Sequence, residues 1–403
     1  MRPRRPMSRH HSMSRRTLPA LLAVLALALA ACGGPILANP PVARPAVTPE
    51  PVTTPRPPDP QPVVLPRDDG PHDRLTEWWY YTGHLTAEDG SSLGFEYVVF
   101  RAERGGFPVT WASHLAVTDE TGDRFHYAQR AEIGPQVDRS PRDAAGDPEG
   151  FALAVSGFDL ANPTLPPGTP WTMAGSLGTD TLAAAASGEE VRGDPVEAFG
   201  LDLRLTEVKP PALHDRDGYI DFGVAGGSYY YSRTAMDAAG TVTLGDRTLE
   251  VTGDAWFDHQ WGDFISVGAG GWDWFAVNLE DGTDVTVSLV RAADGSYPLV
   301  YGTVVDAVGR TRHLGASDLA WEVTDEWTSP MTGATYPAGW TISIPADDLE
   351  IRLSPTVAQQ ELDTRATTGV VYWEGSQVVT ATRASELLGG KAYVELTGYA
   401  PTP

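Results

Sequence analysis

Cysteine is almost missing from this chain of 403 residues: it has one, Cys32, so no intramolecular disulfide can staple the fold. Basic residues are scarce too, with 29 Lys+Arg against 53 Asp+Glu and a formal net charge of −24. That balance excludes nucleic acid as a partner, because affinity for phosphate backbones rests on basic contacts. No apolar run is long enough for a secure membrane-spanning helix. No window sustains helical periodicity beyond a possible short turn at residues 181–186, and no G-x-G-x-x-G loop is there to cradle a phosphate. Gly268-Ala269-Gly270-Gly271 is better read as a flexible link.

What is plentiful is glycine (42), proline (34) and 41% hydrophobic residues, a composition for a full core cut by many turns. Residues 1–31 read as a processing segment: six arginines, then an apolar stretch from Leu18 to Ala31. The sequence Leu29-Ala30-Ala31-Cys32-Gly33 resembles a bacterial lipoprotein signal, which implies cleavage before Cys32 and lipidation of its thiol and amine. Loss of the leader takes the net charge to −30. The expected location is that of an exported lipoprotein, anchored by its lipid on the periplasmic or outer cell-surface side. Residues 32–69 are proline-rich, favour an extended conformation and read as a tether.

The remainder reads as all-β, in two domains expected at 70–264 and 265–403. Residues 77–85 and 93–101 flank Asp89-Gly90, a hairpin signal. Residues 272–279 and 284–291 repeat the pattern around Asp281-Gly282, with a Trp pair and a closing arginine (Arg101, Arg291) in each copy. Closely spaced strands with turn punctuation imply a sandwich or barrel. Trp78-Trp79-Tyr80-Tyr81 carries aromatics on both faces, so this strand can line a lumen inside and a domain interface outside.

Chemistry concentrates between Ala255 and Asp273, where Trp256, Trp261 and Trp272 accompany Asp258, His259, Asp263 and Asp273. Apolar walls raise carboxyl pKa values, which makes Asp273 and His259 acid/base candidates. The alternative is an aromatic corner with satisfied polar atoms. A metal at Asp258, His259 and Asp263 would need His84 or His114 from distant strands, and no His-x-x-x-His spacing exists; the reading is no metal and no cofactor. Gly90-Ser91-Ser92-Leu93-Gly94 matches a serine-hydrolase pattern but straddles a hairpin turn, where no nucleophile elbow forms.

An ordered set of motifs then resembles one family: Glu77-Trp78-Trp79-Tyr80-Tyr81-Thr82-Gly83-His84, Tyr230-Tyr231-Ser232-Arg233, Trp256-Phe257-Asp258-His259-Gln260-Trp261, Gly271-Trp272-Asp273-Trp274, Tyr372-Trp373-Glu374-Gly375 and Tyr393-Val394-Glu395-Leu396-Thr397-Gly398. Together they are similar to the lipocalin-like AttH family, which includes carotenoid 1,2-hydratase. The resemblance implies two lipocalin-like antiparallel β-barrels in tandem, with a largely apolar cavity between or within them. It also implies a cofactor-free hydratase or lyase in which an acid protonates an isoprenoid-like double bond. Carried over, Asp273 becomes the proton donor and His259 the group that orients or deprotonates water. Trp261, Trp272, Trp78, Trp79, Tyr80 and Tyr231 become the cavity wall. The chain departs from the carotenoid hydratases at Gly271, where they are expected to carry tyrosine. A non-catalytic carrier of an apolar molecule is the second expectation, and a secreted hydrolase the third.

Overall fold

A computed structural model describes residues 58–157, 169–176, 178–193, 197–264 and 269–400. Residues 1–57, which hold the segment read as a leader, Cys32 and most of the segment read as a tether, lie outside the described residues. No helix among the described residues is long and apolar enough to cross a membrane.

The protein is all-β, built as two tandem lipocalin-like barrels. Among the described residues the first sheet has 13 strands. Its path runs Phe151–Val155, Trp171–Gly175, Thr179–Ala186, Phe199–Glu207, Gly227–Leu244, Arg247–Gly262, Thr76–Ala87, Ser92–Ala102, Thr110–Asp119, Arg124–Ile133, Arg192–Gly193. Phe151–Val155 returns against Thr110–Asp119 and Arg124–Ile133, so this barrel nearly closes. The second sheet has 10 strands and forms a half-barrel, in the order Thr311–Gly315, Leu299–Val305, Asp284–Ala292, Ala269–Leu279, Glu386–Thr397, Val371–Arg383, Leu349–Pro355, Thr335–Ile344, Ala320–Thr328.

The turn chemistry works as expected. Gly90 takes φ +86° and donates its N–H to the Ala87 carbonyl, and Gly282 takes φ +79° and donates to Leu279. Each Asp-Gly thus closes the central hairpin of one barrel, and the repeat seen in sequence is a repeat of structure. Residues 181–186, read as a possible helical turn, belong instead to a strand. Their burial alternates, and small alanines suit the close packing beside Phe199–Glu207.

Alternation also sorts the large side chains. In Thr76–Ala87 the rings of Trp79 and Tyr81 enter the first barrel's core, while Trp78 and Tyr80 face the second barrel. In Arg247–Gly262, Phe257, His259 and Trp261 point into the barrel, while Trp256 and Asp258 point out to the seam. The seam between barrels is aromatic, with Tyr80, Val98, Trp256, Trp274, Ala276 and Tyr393 packed together.

Residues 58–69, read above as the end of the tether, pack across the first barrel's mouth. Arg74 pairs with Asp59 at 2.6 Å, Tyr229 donates to Asp59 at 2.7 Å, and Asp69 is fully buried against Arg233 at 2.8 Å. Proline content hid this, because what fixes the segment is the cation partners waiting for its aspartates.

Candidate active site

The seam is built from two rows of residues, one on each barrel. Across the first sheet the register sets His114, Val98, Tyr80, Asp258 and Ser232 side by side. Across the second it sets Trp274, Glu395 and Glu374 side by side. Glu374 and Glu395 are therefore direct cross-strand neighbours, an arrangement that two negative charges oppose. Tyr80 reaches across the seam and donates to Glu374 Oε1 at 2.6 Å. Tyr372 donates to Glu96 Oε1 at 3.1 Å, and its own oxygen lies 2.7 Å from His114 Nδ1. Asp258 is held by Tyr230 at 2.5 Å, by Trp256 Nε1 at 2.6 Å and by Ser232. The Trp274 indole donates to Tyr230 at 3.0 Å and packs edge-on to Tyr80.

Burial is the main force on these carboxyls. It pushes Glu96 up to about 8, against the Tyr372 hydrogen bond and with help from the Glu395 charge. It pushes Glu374 well above the usual range, reinforced by Glu395 and Glu96. Glu395 rises to about 7 through burial and the nearby Asp258, with the Trp272 indole opposing. Asp258 rises to about 6 through burial, against its three donors. Among the described residues Glu96 Oε2 and Glu374 Oε2 have no hydrogen-bond partner, which leaves two polar positions open to a guest. The cluster can therefore hold neutral acids at pH 7 beside a carboxylate, with aromatic faces around them.

The rim is more open. Trp272 is 37% exposed, and Trp78 and Phe100 are only partly buried beside the seam's aromatic cluster.

The predicted site residues divide into three places. Trp78, Tyr80 and Trp272 belong to the seam and its rim. Trp79, Tyr231, His259 and Trp261 lie inside the first barrel. There Glu77 Oε1 is 3.0 Å from His259 Nε2 and 2.7 Å from Nδ1 of His72, a histidine ahead of the first strand that the sequence reading passed over. His259 is pushed down to about 4 by burial, so its imidazole is neutral. His84 and His114, considered above as its partners, lie elsewhere: His84 Nε2 sits 3.1 Å from the Ala392 carbonyl, and His114 belongs to the seam. Asp263 pairs with Arg74 at 2.9 Å.

Asp273 sits in the second barrel, apart from His259. Tyr399 donates to it at 2.9 Å, Arg291 lies 3.6 Å away, and its Oδ2 is unpartnered. Burial raises it to about 6, against the Arg291 charge and the Tyr399 hydrogen bond. Gly271, two residues earlier, has φ +95° at a register shift, and a Cβ there would lie 2.3 Å from the Thr397 carbonyl oxygen. This backbone cannot carry the tyrosine expected of the carotenoid hydratases without moving.

Sequence reasoning assigned no role to Glu96, Glu374 and Glu395. A signal was present: each is a lone carboxyl inside an apolar strand, as in Phe95-Glu96-Tyr97, Trp373-Glu374-Gly375 and Val394-Glu395-Leu396.

Comparison with known proteins agrees with this architecture. The family described as AttH-like matches residues 56–399. An AttH of Nitrosomonas europaea superposes with a TM-score of 0.68 at 29% identity, covering 84% of this chain and 98% of that one. Kievitone hydratase of Nectria haematococca superposes at 0.61 with 14% identity, over 83% of this chain and 93% of its own, a likeness of fold. The dehydratase asqC of Emericella nidulans is 24% identical over 170 residues. That match takes in 40% of this chain and 47% of the relative, so the chain spans about half the length of the curated relative it matches.

Proposed function

The chain belongs to the AttH-like family, and on that footing we propose that it is a hydro-lyase-type enzyme. It adds water to, or removes it from, an apolar unsaturated molecule of isoprenoid type at the seam between its barrels. The observation that carries this is the Glu374–Glu395–Glu96 cluster: two buried carboxyls, Glu374 and Glu96, and the half-buried Glu395, all with raised pKa values, among the rings of Tyr80, Trp274 and Tyr372. In the hydration direction a neutral carboxyl protonates the alkene carbon, and the aromatic faces stabilise the cation that results. A neighbouring carboxylate then accepts the proton of the attacking water. Dehydration runs the same steps backward: the carboxyl that took water's proton protonates the leaving hydroxyl, and the other, now a carboxylate, takes the proton from carbon. The dehydratase and hydratase relatives support this reaction class. Lipid attachment at Cys32 belongs to the same proposal and puts the enzyme beside the bilayer in which such substrates dissolve.

Asp273 supports a second reading, in which the acid works inside the second barrel. Its raised pKa and unpartnered Oδ2 favour this.

The test uses acyclic isoprenoid alkenes and their tertiary alcohols with the purified full chain in 18O-labelled water. Mass spectrometry should find 18O in the alcohol, with Glu374→Gln losing the activity and Asp273→Asn keeping it. The reverse pattern moves the acid to Asp273. Ligand retention without any 18O incorporation would make the protein a carrier.

A further inference from the structure

We infer that the mouth of the first barrel is a divalent-cation site, with His72, Glu77 and His259 as ligands and zinc as the ion that suits them. The site is separate from the seam and independent of the reaction proposed there. Three ligand atoms, one from each side chain, lie within 4.8 Å of one another. Glu77 Oε1 lies 2.7 Å from His72 Nδ1 and 3.0 Å from His259 Nε2. Ligands bonded tetrahedrally at about 2.0–2.1 Å sit about 3.3 Å apart, so each imidazole need move only a few tenths of an ångström from Glu77 Oε1 to admit an ion between them. Two imidazoles and a carboxylate are borderline-to-hard donors that suit zinc, and three protein ligands leave a fourth position for water.

The surroundings hold the ligands in place. His259 stacks on Trp79 with centroids 4.7 Å apart, and His72 lies flat on Trp261 at 4.2 Å and 0°. Glu77 Oε2 accepts the His72 backbone N–H at 2.9 Å, which fixes the carboxylate plane. Behind His72, Asp68 Oδ1 is 3.7 Å from the ring's Nε2. A carboxylate behind a ligating imidazole sets its tautomer and raises its basicity, the usual outer-shell arrangement around zinc. Charge favours a cation as well. Glu77 is fully buried, and among the described residues its ion-pair partners are imidazoles. Arg233, the buried guanidinium deeper in the barrel, already faces Asp69, Asp180 and Glu207. Access exists, because the His72 side chain is 20% exposed at the mouth. Local spacing could not reveal the set: His72 comes from the segment leading into one strand, Glu77 from that strand's start, and His259 from the neighbouring strand, 182 positions from Glu77.

The experiment strips the purified full chain with a chelator, dialyses it against zinc chloride and measures metal per chain by mass spectrometry. One zinc per chain is expected, with His72→Gln and Glu77→Gln each weakening binding at least about tenfold. His72→Gln is the safer variant, since that ring is partly exposed and lies outside the sheet; circular dichroism checks both. X-ray absorption at the zinc edge on the unmutated protein should show a nitrogen/oxygen shell containing two imidazoles. Substoichiometric zinc overturns the site, as does zinc held equally tightly by the folded variants or a shell without imidazole.

Discussion

Glu374 and Glu395 face each other on adjacent strands, and their acidity is a property of the pair. Replacing Glu374 with glutamine keeps an acceptor for Tyr80 and removes the proton, so turnover should fall by about 10²–10⁴, the usual worth of a general acid. Single-turnover rates at saturating alkene would read this, and an unchanged rate would remove Glu374 from the chemistry. The pH profile follows from the same groups. Around the pair lie Tyr80, Tyr372, Tyr393, Glu96 and Asp258, with His114 behind Tyr372, and the acid form of the cluster is lost as pH rises past about 7 for Glu395 and about 8 for Glu96. Activity should decline on the alkaline side of neutrality, and Glu96→Gln should shift that decline. A rate that climbs steadily to pH 9 would argue for a base in place of an acid.

The strand is the scale at which the sequence was most and least informative. Asp-Gly turns, closely spaced β-rich runs and the Trp-pair repeat were enough to read two β domains, because turn chemistry and side-chain period are local properties. The double-faced character of Trp78 to Tyr81 was legible for the same reason. What sequence proximity could not supply was the destination of each face. His259 and Asp273 are neighbours along the chain, yet alternation and a change of sheet send them into different barrels. Glu374 and Glu395 meet Tyr80 only through a seam whose register depends on both sheets. Gly271 offers a test at this scale: Gly271→Ala places a Cβ 2.3 Å from the Thr397 carbonyl oxygen at φ +95°. A loss of about 1–3 kcal/mol in urea denaturation is expected. A neutral result would mean that the bulge relaxes at little cost.

At the scale of the whole molecule, the two barrels are joined through a seam of groups that resist ionising. Glu96 illustrates the sign. Its folded value of about 8 lies above the ordinary 4.5, so between those limits the folded chain holds a proton that the unfolded chain releases. Stability from this group is present below about 4.5 and declines as pH rises through 8. Glu374 and Glu395 act in the same direction. Melting temperature should therefore fall between pH 6 and pH 9, and Glu96→Gln should flatten that fall in scanning calorimetry. The chain's net charge of −24 adds self-repulsion, so moderate salt should raise the melting temperature at pH 8.

Asp69 ends a stretch that lies across the first barrel's mouth, and it is joined there to the fully buried Arg233. Mechanical load applied to the chain ahead of Pro58 meets this clasp, along with Asp59 on Arg74, before it reaches any strand. Enough tension would draw an aspartate out of the barrel and leave a guanidinium short of one counter-charge, with His72 and Glu77 next in line along the chain. Trimming the protein to residue 71 does the same thing permanently. Such a trimmed chain should melt lower than one beginning at residue 58, and a force-clamp measurement pulling from the N-terminus should register the release of the clasp as a step ahead of barrel unfolding.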